Sequence, residues 1–235
     1  MEEQMARRLV AAEGKKLQQA GLVARTWGNI SCRIDENHFV ITPSGLDYET
    51  MTARDLVLMD IRNGVCCGAH KPSSEKGVHL AAYQTFPEVG YVIHTHQTYA
   101  TAIGLCGFEQ LAMTEEEAEK LGGIARAAYG LSSTEKLAGA VYDAMQSGAK
   151  VVFMVHHGVL ICGKDREEAF SRAMLLEEIC KRSILGQPKK KPRRAEASGK
   201  AVSRLAEAFS LCGNLRYAGS PSLRGERAGN PGTGG

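Results

Sequence analysis

Over the first twenty residues the apolar positions fall at helical spacing, with Met5, Leu9, Val10 and Leu17 set among alanines. An amphipathic helix over residues 2–20 is predicted, ended by Gly21. The pattern then changes to short β-branched and aromatic runs. Strands are predicted at His38-Phe39-Val40-Ile41, Leu56–Asp60, Gly90–Ile93 (continuing into His94-Thr95-His96), Val151–Val155 and Val159–Cys162. Helical stretches lie between them. One is opened by Lys71-Pro72-Ser73-Ser74-Glu75 and runs to roughly Thr85; a short one covers Gln97–Ile103 and ends at Gly104. Ser132-Ser133-Thr134-Glu135 starts a third, which reaches about Met145. A long amphipathic helix follows from Glu167 to about Leu185, ended by Gly186-Gln187-Pro188. Arg62-Asn63-Gly64 is a turn, and Thr114–Lys120 is an acidic loop or short helix stopped by Gly122-Gly123. After residue 187 the pattern fades into a basic linker, Lys189–Arg194, a last helix at Ala201–Leu211 and a Gly/Pro/Ser-rich tail from Gly219.

A chain of 235 residues with 43% hydrophobic and 23% charged positions is long enough to bury a core as one soluble domain. The net charge is only +3, with much of the positive excess late in the chain, so neither a nucleic-acid nor a membrane partner is expected. No apolar run approaches a membrane span, and the acidic start Met1-Glu2-Glu3-Gln4 is no signal peptide. Seven cysteines without a C-x-x-C pair read as reduced thiols, which makes a cytoplasmic location the expectation.

The chemistry centres on Val92-Ile93-His94-Thr95-His96. In an extended segment the side-chain period is two, so His94 and His96 face the same way and form a clip for a divalent metal. Zinc suits imidazole nitrogen and at catalytic sites takes about three protein ligands. The third is sought at His156-His157-Gly158, the end of a second strand-like run. A lone histidine is more often an ordinary core or surface residue, but this grouping is not lone. His38 and His70 have no partner at ligand spacing and read as surface residues. His79, four residues after Glu75 on one helical face, is not taken as a ligand, because that pair is common on surface helices. Two further stretches keep two readings each. Gly28-Asn29 is a plain hairpin turn or a turn aiming backbone N–H groups at an anion. Ser73 and Ser74 are helix caps or, at a helix N-terminus, a phosphate site.

Taken together, Gly28-Asn29-Ile30-Ser31, Thr42-Pro43-Ser44-Gly45, Pro72-Ser73-Ser74-Glu75, His94-Thr95-His96 and His156-His157-Gly158, in this order, resemble the class II aldolase/adducin family. The likeness is greatest to its L-fuculose-1-phosphate aldolase branch and spans the chain from the first helix to about Leu185. It implies a three-layer α/β/α single domain with a mostly antiparallel central sheet over residues 1–187. It also implies one zinc ion per subunit on His94, His96 and His157, with Glu75 as the acid/base. Gly28, Asn29, Ser44, Gly45, Ser73 and Ser74 would form the phosphate pocket for a small phosphorylated sugar. The implied activity is retro-aldol cleavage of a ketose 1-phosphate to dihydroxyacetone phosphate and an aldehyde, in a homotetramer. Related members are pentulose-phosphate 4-epimerases, which carry aspartate at the position of Glu75, sugar-phosphate dehydratases, and adducin-like binding modules without the ligands. The segment Met113–Glu117 lacks the tyrosine that fuculose-phosphate aldolases lend to a neighbouring subunit, and Tyr217 is only a loose match for their C-terminal tyrosine.

Overall fold

The structure, a computed structural model, describes residues 1–23, 26–106 and 111–186. The expected basic linker, the Ala201–Leu211 helix, Tyr217, Cys212 and the tail lie outside the described residues.

Eight strands form one sheet: β1 (Asn29–Arg33), β2 (His38–Ile41), β3 (Val57–Asp60), β4 (Cys66–Cys67), β5 (Tyr91–Thr95), β6 (Ile124–Ala127), β7 (Val151–Met154) and β8 (Gly158–Gly163). Their order across the sheet is β4-β3-β2-β1-β5-β8-β7-β6. Every neighbouring pair is antiparallel except β6 with β7. Among the described residues six helices flank it: α1 (Glu3–Gln19), α2 (Lys76–Thr85), α3 (Thr98–Cys106), α4 (Glu115–Leu121), α5 (Glu135–Met145) and α6 (Arg166–Leu185).

The strands explain the layers. Central strands are apolar on both faces, and alternate residues go to opposite sides. Ile30, Ile93, Phe153, Val159 and Ile161 pack against α1, α3 and α6. Phe39, Val92, Val152, Leu160 and Cys162 pack on the other face with Val78, Ala82 and Tyr83 of α2 and Leu137, Val141 and Met145 of α5. The result is the expected α/β/α arrangement with a mostly antiparallel sheet.

Several local expectations are corrected. Gly28-Asn29 is not a hairpin turn: Asn29 already begins β1, which lies between β2 and β5. Gly104 does not end α3, which continues to Cys106. Strands β4 and β6 had no apolar run to announce them, β4 being two residues of an exposed edge and β6 the short Ile-Ala-Arg-Ala. Thr114–Lys120 resolves as helix α4, with a capping box between Thr114 and Glu117 and Gly122 closing it in the left-handed conformation.

Helix α3 starts two residues after His96 and takes its cap from another element. The Glu177 carboxylate on α6 accepts the backbone N–H of Tyr99 at 2.8 Å and of Ala100 at 3.0 Å. A carboxylate at these free N–H groups also complements the helix dipole. Glu177→Ala is expected to lower stability by about 1–2 kcal/mol in denaturant unfolding, and an unchanged midpoint would show that the cap contributes nothing.

Candidate metal centre and its cleft

The register of the central strands builds the centre. Asn29 of β1 lies opposite His94 of β5, and His94 lies opposite Leu160 of β8. His94 therefore points to the same sheet face as Val92, toward α2, and is fully buried. The β7–β8 hairpin has a three-residue tip, Val155-His156-His157, in which His156 takes φ 60 and His157 N–H bonds back to the Met154 carbonyl at 3.0 Å. That geometry turns His157 inward toward His94, while His156 stays exposed beside the Tyr129 ring. Each pair among the rings of His94, His96 and His157 has centroids 4.7–4.9 Å apart.

Glu75 joins them from the start of α2. It occupies the N-cap position itself, and no serine side chain caps the helix; Ser73 Oγ instead accepts the Glu75 backbone N–H at 3.2 Å. The capping reading of the two serines is thereby corrected. The Glu75 carboxylate lies 2.8 Å from His94 Nε2 and 3.1 Å from His157 Nε2. Ser132, from the loop before α5, donates to Glu75 Oε1 at 2.8 Å, and the Asn29 amide donates to Oε2 at 3.4 Å. Burial alone would push the Glu75 carboxyl up, but the His94 hydrogen bond, the His94 and His157 charges and the Ser132 hydroxyl outweigh it and hold it well below the usual range.

The four candidate donors, Glu75, His94, His96 and His157, present one ligand atom each within 4.8 Å of one another. The donor set fits a divalent metal. His94 Nδ1 is committed to the Val159 carbonyl at 2.9 Å, so a neutral His94 presents its Nε2 lone pair. That lone pair faces Glu75 Oε2 at 2.8 Å and His96 Nε2 at 2.9 Å. A single proton cannot satisfy that many acceptors, whereas one divalent cation can. Burial, with the charges of its histidine neighbours, pushes His96 down to about 3, and burial likewise lowers His157. Both shifts disfavour protonation, so a metal bound there would meet little proton competition.

Beside this cluster a cleft of about 180 Å³ is lined by Gly28, Asn29, Ser44, Gly45, Ser73, Ser74, Glu75, His96, Ser132 and His157, among others. Three loops are stitched together to form it. Thr42 N–H bonds to the Ile30 carbonyl at 3.0 Å, Ser44 N–H to the Lys71 carbonyl at 3.0 Å, and Ser73 N–H to the Thr42 carbonyl at 3.0 Å. All six residues expected in a phosphate pocket share this cleft. Asn29 differs in detail, since its amide already bonds Glu75 and His79, leaving one N–H for the cleft. The positive end of α2 and the exposed Ser44, Gly45 and Ser74 make the cleft suited to an anion. Gly28 takes φ +89, and a Cβ there would stand 2.7 Å from the His94 carbonyl oxygen, so only glycine lets this loop approach β5 so closely. Sequence reasoning missed Ser132, because a serine in a helix start is indistinguishable from a cap. It also left out His79, whose burial no local pattern announces.

The sequence profile of the class II aldolase and adducin N-terminal domain matches residues 8–184. The chain belongs to this family. A solved L-fuculose 1-phosphate aldolase is 30% identical, superposes with a TM-score of 0.71, and is matched over 87% of this chain and 96% of its own. YgbL from Klebsiella pneumoniae, whose description leaves aldolase, epimerase and decarboxylase open, is 22% identical with a TM-score of 0.71, over 87% of this chain and 99% of its own. An L-fuculose-1-phosphate aldolase from Thermus thermophilus is 24% identical with a TM-score of 0.62, over 76% and 91%. The last two likenesses speak for the fold. Among the described residues no helix is long and apolar enough to cross a membrane.

Proposed function

We propose that this family member is a zinc-dependent aldehyde-lyase. Its proposed reaction is retro-aldol cleavage of a ketose 1-phosphate, L-fuculose 1-phosphate or a related deoxy sugar phosphate, to dihydroxyacetone phosphate and an aldehyde. The observation that carries the proposal is the placement of Glu75, a buried carboxylate set among three histidines at the wall of a hydroxyl-lined cleft. A zinc ion held by His94, His96 and His157 would supply Lewis-acid polarisation of the substrate carbonyl and stabilise the charge left by the broken carbon–carbon bond. The chain's own residues do the rest. Gly28, Asn29, Ser44, Gly45, Ser73 and Ser74 hold the phosphate, and binding that remote group orients the reacting carbons against Glu75. Glu75 moves the proton on and off the carbon that loses its partner, with Ser132 and Asn29 keeping both carboxylate oxygens in place.

Zinc is preferred because three imidazoles and a carboxylate in a compact cluster match its ligand chemistry. A cytoplasmic homotetramer belongs to the same proposal. Self-association is supported by the exposed apolar side chains of Trp27, Tyr129 and Leu131 in or beside the cleft's lining segments, a surface that a second copy would cover.

The test is to load the protein with zinc, add L-fuculose 1-phosphate and close analogues, and follow dihydroxyacetone phosphate through a coupled reductase. Steady release is expected for at least one of them. Bound zinc with no release from any ketose 1-phosphate would overturn the lyase reading in favour of an epimerase or dehydratase. A protein that takes up no zinc would leave the binding-module reading.

A further inference from the structure

Behind Glu75 a line of buried polar groups runs through the layer between β1 and α2. Asn29 and Ser31 are two residues apart on β1; Glu75, the N-cap of α2, and His79 and Tyr83 on α2 follow one another at intervals of four. Two strand residues advance about 6.8 Å and four helix residues about 6 Å, so the two series stay in step and interlock. Ser31 Oγ lies 2.8 Å from the Tyr83 hydroxyl and 2.7 Å from His79 Nδ1, and His79 Nε2 meets Asn29 Oδ1. The Asn29 amide nitrogen then reaches Glu75 Oε2 at 3.4 Å. His79 is fully buried, as are Ser31 and, all but its edge, Tyr83.

Chemistry fixes the direction of each proton in this line. The Glu75 carboxylate turns Oε2 to the Asn29 amide nitrogen and accepts its hydrogen. The Asn29 amide must therefore turn its N–H to Glu75, since the flipped amide would set an oxygen against the carboxylate. Its Oδ1 then faces His79 and requires a donor, so Nε2 of His79 carries the hydrogen. Complete burial among these polar partners keeps the ring neutral by pushing it down to about 3. Nδ1 is consequently a lone pair, and it takes the single hydrogen of Ser31. The Tyr83 hydroxyl must then donate to Ser31. A buried network needs its groups satisfied and nothing more; this one is also polarised from end to end, and its last donor lands on the candidate acid/base.

We infer that His79 is the positioning residue for Glu75: held as the Nε2–H tautomer by Ser31 and Tyr83, it locks the Asn29 amide with its N–H aimed at the carboxylate. The kinetic consequence rests on the proposed lyase role of Glu75, whereas the tautomer does not.

Two measurements on the full, zinc-loaded chain test it. The first is nitrogen-15 NMR of histidine-labelled protein, with the His79 signals identified by their loss in His79→Gln. A neutral ring with hydrogen on Nε2 and an accepting Nδ1 is expected. Hydrogen on Nδ1, or on both nitrogens, would overturn the inference whatever the enzyme does. The second compares His79→Gln, which places an amide N–H near the former Nε2, with His79→Asn, whose shorter side chain cannot reach Asn29. His79→Asn is expected to lower kcat about 100-fold with KM and zinc content unchanged, and His79→Gln to recover to within about tenfold of the parent. Equal losses in the two variants, or a loss carried by KM, would reduce His79 to a structural role. If the parent chain shows no turnover, the lyase reading fails by itself and the NMR result alone decides the tautomer.

Discussion

Replacing Gly158 by alanine is expected to abolish tight metal binding while altering no ligand. Gly158 opens β8 directly after His157, and its Cα faces the end of β5. A Cβ added there would overlap the Thr95 carbonyl oxygen and stand 3.1 Å from both His94 Cε1 and His96 Cδ2. The strands cannot slide to relieve the clash, because Thr95 is paired with Val159 and His94 with Leu160 across a buried antiparallel ladder. Relief must come from the hairpin tip lifting off the Thr95 carbonyl, with the imidazoles beside it shifting as well. His94 is anchored by its bond to the Val159 carbonyl, so His96 and the hairpin tip that carries His157 are the parts that yield. Displacing two of the three proposed ligands by a few tenths of an ångström would spoil the convergence of their donor atoms. The expected result is zinc affinity lower by at least about 100-fold, with a stability loss of about 1–3 kcal/mol from overpacking. Metal content after dialysis and the denaturant midpoint of the metal-free protein measure the two effects separately. Retention of zinc at parental affinity would show that the hairpin absorbs the methyl group and that Gly158 is not needed at the centre.

What the sequence revealed of this centre was what periodicity can carry. His94 and His96 are two apart, and although β5 ends at Thr95 the chain stays extended long enough for the period of two to bring both rings together. The His157 contribution could be sought because a strand-like run ended in His-His-Gly. Which of the two histidines turns inward is decided by the hairpin tip, where His156 adopts a left-handed conformation and His157 folds back onto Met154. The cleft loops were readable as separate turns, and as one site only through the family resemblance. Their union depends on backbone bonds between residues 30, 42, 44, 71 and 73, which are tertiary facts with no side-chain signature.

The parts that escaped local reading share a cause. Ser132 meets Glu75 from 57 positions away in sequence, and its hydroxyl would look the same if it merely began α5. His79 and Glu75 share a helical face that could equally have been solvated. That this face is buried follows from the pairing of α2 with β1, in which Ser31 and Asn29 supply polar partners where an apolar sheet face would have excluded an imidazole. Edge strand β4 and the parallel strand β6 were hidden for a different reason: neither carries enough apolar residues to mark a strand, and both are held by their neighbours' free backbone groups.

Glu75→Gln is the substitution expected to cost most in turnover. Glutamine keeps the shape and the length of the side chain, and the surrounding donors can receive it. Its amide oxygen can face the fixed N–H of Asn29, while the hydroxyl of Ser132, free to rotate, can accept from the amide nitrogen. The three imidazoles proposed as ligands are untouched, so zinc is expected to stay bound. What is lost is the ability to carry a proton, since an amide neither accepts nor releases one near neutral pH. A positioned acid/base contributes about 10²–10⁴-fold to the rate, so kcat is expected to fall about a thousandfold with one zinc per subunit still present. Measuring kcat, KM and metal content on the same preparation separates the alternatives. Turnover near the parental rate with zinc bound would mean that another group moves the proton. Loss of zinc together with activity would mean that Glu75 serves chiefly as a fourth ligand, and that its bonds to Asn29 and Ser132 orient it toward the metal rather than toward a substrate carbon.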